Sequence, residues 1–140
     1  MLANRSMPRA TVIPVLAYPN LGEAIDWLCN TFDFCLRLRI GNHRAQLNVG
    51  DGAVVLVEQP SIKRSQPGEL GDSVVVRVDD VDGHCERARQ RGARIVQPPA
   101  DHQYGERQYV AEDFAGRYWT FSQSIADVAP EEWGGTSGRL

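Results

Sequence analysis

Apolar and polar positions along this chain alternate in blocks that change period. Thr11 to Tyr18 (TVIPVLAY) is an apolar run rich in β-branched residues, which predicts a strand. Pro14 within it points to an edge position or a bulge, because proline cannot donate to a ladder. Pro19-Asn20 is a turn signal, with Asn20 placed to cap a helix. In LGEAIDWLCNTF, Leu21, Ala24, Ile25, Leu28 and Phe32 recur at helical spacing. The period then falls to two. CLRLRI (35–40) sets Leu36, Leu38 and Ile40 against Cys35, Arg37 and Arg39, a strand with one apolar face. RAQLNV (44–49) and AVVLVE (53–58) predict two more strands, separated by the turn signal Gly50-Asp51-Gly52. The order is β-α-β-β-β.

Ser61 to Asp72 (SIKRSQPGELGD) is polar, holds Pro and Gly, and reads as a linker. The pattern then restarts. SVVVRV (73–78) is a strand, and Asp79-Asp80 caps the helix VDGHCERARQRG, whose Val81, Cys85 and Ala88 share a face. Gly92 fits the end of that helix. RIVQPP (94–99) is a strand ended by two prolines, and DHQYGERQYVAED holds a loop and a strand. Ala115-Gly116 turns the chain into RYWTFSQ, the last strand. The halves superpose at an offset of 60 for Ile13 with Ser73, Asn20 with Asp80 and Ile25 with Cys85, and of 64 for Gly52 with Gly116 and Leu56 with Thr120. The expected organisation is module one at 11–60, the linker at 61–72, module two at 73–125 and a tail at 126–140.

Composition narrows the function classes. At 140 residues, 42% hydrophobic and 24% charged, the chain is long enough for one packed domain without disulfide or metal staples. A net charge of -3 excludes a generally basic nucleic-acid binder. Lys63-Arg64 is too short a basic run to change that, and the arginines at 87, 89, 91 and 94 read as a solvated face. No apolar stretch has the length of a membrane span or a signal peptide, so the expected place is the cytoplasm. Cys29, Cys35 and Cys85 are odd in number and widely spaced, which is no disulfide framework. GxSxG, P-loop and GxGxxG motifs are absent from the sequence. Asp79-Asp80 and Glu112-Asp113 are carboxylate pairs, but their positions before a helix and before a turn assign them capping and turn chemistry. His43, His84 and His102 fall on three unrelated elements, as surface or helix-flank residues.

Two βαβββ modules, with AYPNLGEAIDWLCNTFDF, VVVRVDDVDGHCERARQRGA and YGERQYVAEDFAGRYWTFSQ, resemble the vicinal oxygen chelate superfamily of glyoxalase I, bleomycin-resistance proteins and extradiol dioxygenases. The ending Asp113-Phe114-Ala115-Gly116-Arg117-Tyr118-Trp119-Thr120-Phe121 is similar to a common family ending, with Phe114 where Pro is usual. The resemblance spans residues 11 to 125. It implies an α+β fold of two βαβββ modules, their mixed, curled sheets forming a cavity with helices on the convex side. It also implies dimers, and in the enzymes a divalent metal held by His and carboxylates. Carried over residue by residue, those ligand positions fall on Ile13, Leu56, Ser73 and Thr120, which supply no imidazole and no carboxylate. A two-residue slip offers Glu58 alone. The expectation is therefore no metal and no cofactor.

Alternation predicts that Ile13, Val15, Val54, Leu56, Glu58, Ser73, Val75, Arg77, Tyr118, Thr120 and Ser122 line the cavity. Leu16, Val55, Val57, Val74, Val76, Trp119 and Phe121 then pack beneath the helices. Such a lining suits a small organic ligand fixed by a few polar contacts. Tyr104 and Arg107 are candidates to cover the mouth, and Trp133 in the tail to dock on a second copy of the chain. Two functional readings stay open: a metal-free binding protein in a homodimer, or an enzyme with a relocated metal or with Glu58 as base and Arg77 or Tyr118 steadying an oxyanion. A purely structural protein is the third class.

Overall fold

The structure, a computed structural model, describes residues 2–62 and 72–140. The expected linker lies, at residues 63–71, outside the described residues, and Lys63-Arg64 with it. Met1–Ser65 and Gln66–Leu140 are two compact units, each holding one module. Unit one contains β1 (Val15–Tyr18), α1 (Leu21–Phe32), β2 (Cys35–Ile40), β3 (Arg44–Val49) and β4 (Gly52–Glu58). Unit two contains β5 (Val74–Arg77), α2 (Val81–Gln90), β6 (Arg94–Asp101), β7 (Glu106–Glu112) and β8 (Tyr118–Ser124). The sheets run β1-β4-β3-β2 and β5-β8-β7-β6, parallel at β1/β4 and β5/β8 and antiparallel elsewhere. The fold is α+β, built as two βαβββ modules on open, mixed sheets.

Four differences from the expected elements have local causes. β1 begins at Val15, four residues later than the apolar run. Pro14 has no N–H, and its carbonyl alone joins the ladder, accepting from Val55 N at 2.8 Å. In β2 the pairing shifts between Leu36 and Leu38, so the expected single apolar face is broken, and Leu36 and Ile40 remain exposed. β6 runs past both prolines to Asp101; it is an edge strand and its register shifts between Gln97 and Ala100, the setting in which prolines are tolerated. Helix α2 stops at Gln90, and Gly92 (φ 104) closes it: Gly92 N bonds to Arg89 O and Ala93 N to Ala88 O.

Each helix is pinned at its start by two side chains. Asn20 Oδ1 accepts from Glu23 N at 2.9 Å, and Asp80 Oδ1 from Gly83 N at 3.1 Å. The second acceptor comes from the end of the closing strand. Glu58 Oε1 accepts from Leu21 N at 3.1 Å, and Gln123 Oε1 from Val81 N at 3.0 Å. These satisfy first-turn amides that have no partner inside the helix. Both acceptors lie on the face of their sheet that looks at its helix. Glu58 shares that face with Leu56 and Val54, and the ladder adds Leu16, Tyr18, Ala45 and Leu47, all buried. In unit two the same face carries Trp119, Phe121, Tyr109 and Ala111, with Val74 and Val76 half-buried beside them.

The second core is aromatic. Tyr109 and Phe121 stack at 5.2 Å, and the His84 ring lies 4.2 Å from Phe121. His84 is thus a buried core residue rather than a surface one, and its Nδ1 lies 2.5 Å from the Tyr109 hydroxyl. Burial pushes the Tyr109 phenol far up, so the hydroxyl keeps its proton and can donate. Asp113 is buried and closes the turn before β8: it accepts from Ala115 N and Arg117 N and from Trp119 Nε1, each at 3.0 Å. That is the turn role its position predicted.

Urea denaturation of two variants checks these anchors. Glu58→Ala removes a helix-start acceptor and is expected to lower stability by about 1 kcal/mol, with Glu58→Gln recovering most of it. Asp113→Ala strands a buried indole N–H and two amides and is expected to lose about 2–3 kcal/mol.

Candidate functional site

The faces turned away from the helices hold what is left for chemistry. In unit two this far face is formed by Val75 and Arg77 of β5, Tyr118, Thr120 and Ser122 of β8, and Glu106, Gln108, Val110 and the buried, Arg94-paired Glu112 of β7, by the paired register. Arg77, Tyr118, Thr120 and Ser122 therefore share the face turned away from α2. Val75 is 62% exposed, although an isolated valine would normally be buried.

One end of this face is a continuous polar network. Arg77 Nη1 donates to Ser124 Oγ at 2.6 Å. Ser122 Oγ donates to Glu106 Oε1 at 2.7 Å and accepts from Gln108 Nε2 at 3.0 Å. The Tyr104 hydroxyl donates to Gln108 Oε1 at 2.8 Å. A hydrogen bond from Ser124, helped by Ser122 and by the Arg77 charge, holds the Glu106 carboxyl below its usual range, against partial burial that acts the other way. A carboxylate stabilised in its ionised form is a weak base. Arg77 is exposed and spends one of five N–H donors on Ser124, so most of its fork faces outward. Beyond the network lie Thr120, Val75, Val110 and Tyr118, a largely apolar floor.

Several expected site residues stand elsewhere. Leu56 is fully buried on the helix face, and Glu58 is spent on Leu21 N. Strand β1 aligns Val15 with Val55 just as β5 aligns Val75 with Thr120, so the counterpart of Thr120 is Val55, not Leu56. The expected register was one residue off in module one, and a one-residue slip exchanges the two faces. Val54 accordingly also faces α1, and Val55 and Val57 face away from it. Val15 is on the far face and 56% exposed. Ile13 and Ser73 precede their strands, half-buried and exposed respectively. Arg107 covers no mouth: it pairs with Asp82 at 3.0 Å and Asp101 at 2.9 Å, next to the start of α2. Trp133, 39% exposed, packs on Tyr104 of its own chain at 5.2 Å, and Tyr104 stacks on His102 at 5.1 Å. Sequence reading passed over Glu106, Gln108 and Ser124 as site residues. Their signal was the alternation of ERQYVAE against the last strand, legible only once the pairing is known.

The metal of the enzymes in this fold class has no matching donors here. With the register corrected, its four positions are Ile13, Val55, Ser73 and Thr120: two alkyl chains and two neutral hydroxyls, which do not hold a divalent ion. Among the described residues no group of three or more His, Cys, Asp or Glu could hold one elsewhere.

Paired βαβββ modules of this connectivity define a class of proteins. The chain belongs to it: the family model of the glyoxalase/bleomycin resistance protein/dioxygenase superfamily matches residues 11–121. Among solved structures, TioX from Micromonospora sp. ML1 is similar at 36% identity and TM-score 0.69, over 83% of this chain and 99% of that one. A glyoxalase/bleomycin resistance protein/dioxygenase from Alicyclobacillus acidocaldarius shares the fold at 16% identity and TM-score 0.69, over 86% and 95% of the two chains. An uncharacterized protein of Mycobacterium bovis is 28% identical over 131 residues, 85% of this chain and 86% of its own.

The depressed Glu106 carboxyl sets a pH signature. A lowered folded pKa contributes stability that is present above the unfolded value, about 4.3, and is lost as pH falls through the folded one. The urea midpoint of the parent protein should exceed that of Glu106→Gln at pH 7, and the gap should close as pH falls below about 4. A gap that stays constant with pH contradicts this.

Proposed function

We propose that this protein binds a small organic molecule on the far face of sheet two, without a divalent metal. The observation that carries the reading is the contrast between two sets of residues. The family's metal positions hold only Ile13, Val55, Ser73 and Thr120. The adjoining polar groups, Arg77 and the hydroxyls of Thr120 and Ser122, stand together on one face beside Val75 and Tyr118. A polar end and an apolar floor suit a ligand with an apolar body and one anionic or hydrogen-bonding group, which Arg77 receives as a planar fork. Binding is favoured over turnover because the one carboxylate in the network, Glu106, is held ionised and is a poor proton acceptor, and Glu58 serves α1. Membership in the superfamily supports a small-molecule role. Among the described residues no helix is long and apolar enough to cross a membrane.

Elemental analysis of the purified protein is expected to find no stoichiometric divalent metal, and added Ni²⁺, Zn²⁺, Mn²⁺ or Fe²⁺ should leave the melting temperature unchanged. A stoichiometric metal held by side chains would sink the metal-free reading. A thermal-shift screen of small aromatic and heterocyclic acids should give compounds that raise the melting temperature. Arg77→Ala should weaken them roughly ten- to hundredfold, the loss of a charge-assisted bond. Affinities unmoved by both Arg77→Ala and Thr120→Trp would place the ligand elsewhere.

A further inference from the structure

The far face of sheet one carries a different chemistry, independent of the reading above. We infer that it holds a site for a small oxyanion, a carboxylate or phosphate group, built by Arg37 and Arg9 under the N-terminal segment. Leu36 shares the helix face with Leu47, so strand alternation sends the next residue, Arg37, to the far face beside Gln46. The register then passes from Leu36↔Leu47 to Leu38↔Gln46, leaving Arg37 as the extra residue of a bulge, with Leu38 brought to the same side. Its Nη1 donates to Gln46 Oε1 at 2.6 Å. Its Nη2 donates to Arg5 O at 2.8 Å and Met7 O at 3.0 Å, and Gln46 Nε2 donates to Ser6 O at 2.9 Å. Residues 5–7 are thereby tied across the face, and Pro8 is buried against it.

Beside these bonds lies a cavity of about 270 Å³, lined by Pro8, Arg9, Ala10, Arg37, Asn48, Ala53 and the Gly50-Asp51-Gly52 turn. Two arginines, Arg9 and Arg37, are among its lining residues, Arg9 exposed and Arg37 half-buried. Every acceptor that Arg37 meets is neutral, and among the described residues neither arginine forms an ion pair within 4.0 Å, Asp51 on the rim included. A half-buried cation surrounded by neutral carbonyls is stabilised by an anion, and a guanidinium fork matches an oxyanion in shape. The Asn48 side chain adds a neutral donor. The cavity lies just below the size of sites for drug-sized ligands, ~300–1,000 Å³, which favours a compact anion. An occupant would also close against residues 8–10, so binding and seating of the N-terminal segment are coupled, and each favours the other.

The test is amide NMR titration of the full chain with inorganic phosphate and, separately, succinate, against sodium chloride at equal ionic strength. Saturable shifts at Asn48, Gly50, Gly52 and Ala53 with either anion are expected; phosphate alone or succinate alone then identifies which group the site prefers. Arg37→Gln also unties residues 5–7, so Arg9→Gln is the decisive variant, since Arg9 holds no structural bond among the described residues. It should weaken binding about tenfold with unchanged stability, while Arg77→Ala leaves the titration unaltered. No saturable shift beyond the chloride control, shifts centred on Arg77, or an Arg9→Gln titration identical to the parent would each overturn the site.

Discussion

Backbone amides at a helix start must find acceptors, and here that need organises both modules. Asn20 with Glu58, and Asp80 with Gln123, are the same device used twice. One acceptor is local in sequence. The other comes from the last turn of chain in the closing strand, 37 residues away for Glu58 and 42 for Gln123. That distant acceptor ties helix to sheet at one register, and strand alternation then distributes every other side chain between core and far face. A carboxylate suits this place in module one because the first turn of a helix is a region of positive potential. The neutral amide in module two meets the same geometric need.

Once those positions are spent on structure, the far faces are freed from stabilising the helices and can diverge. Sheet two concentrates its polarity at the edge where β5, β8 and the start of β7 meet, in one network containing one cation and one carboxylate. Sheet one places two cations near the N-terminal segment and leaves them without a carboxylate partner among the described residues. The modules thus share a scaffold and differ in the charge they present. The family's metal positions carry no imidazole and no carboxylate in this chain, and function resides in the side chains a fold presents, not in the fold.

Much of this was legible along the chain. Helix α1, β2 and β3 have the bounds that period and turn signals assign to them, and the module order follows from the repeat. Asn20, Asp80, Gly92 and Asp113 perform the local roles that their positions suggest, since caps and turns involve near neighbours. The register of β4 was not legible. AVVLVE is apolar at five consecutive positions, so either alternate set can be the buried one. His84 was misread for a similar reason: its partners, Tyr109 and Phe121, lie on strands far along the chain.

The sequence by itself determined the family, the two βαβββ modules, the helix caps and the absence of imidazole or carboxylate at the family's metal positions. These depend on residue type and short-range periodicity, which are fully written in the order of the amino acids. Tertiary structure decided that Glu58 holds a helix, that Val55 and not Leu56 is the counterpart of Thr120, that Glu106 joins Arg77, and that Arg37 lies bonded beneath residues 5–7. Each of these depends on strand pairing. Pairing sets side-chain direction with a period of two, so a shift of a single residue, invisible in composition or pattern, exchanges core for surface.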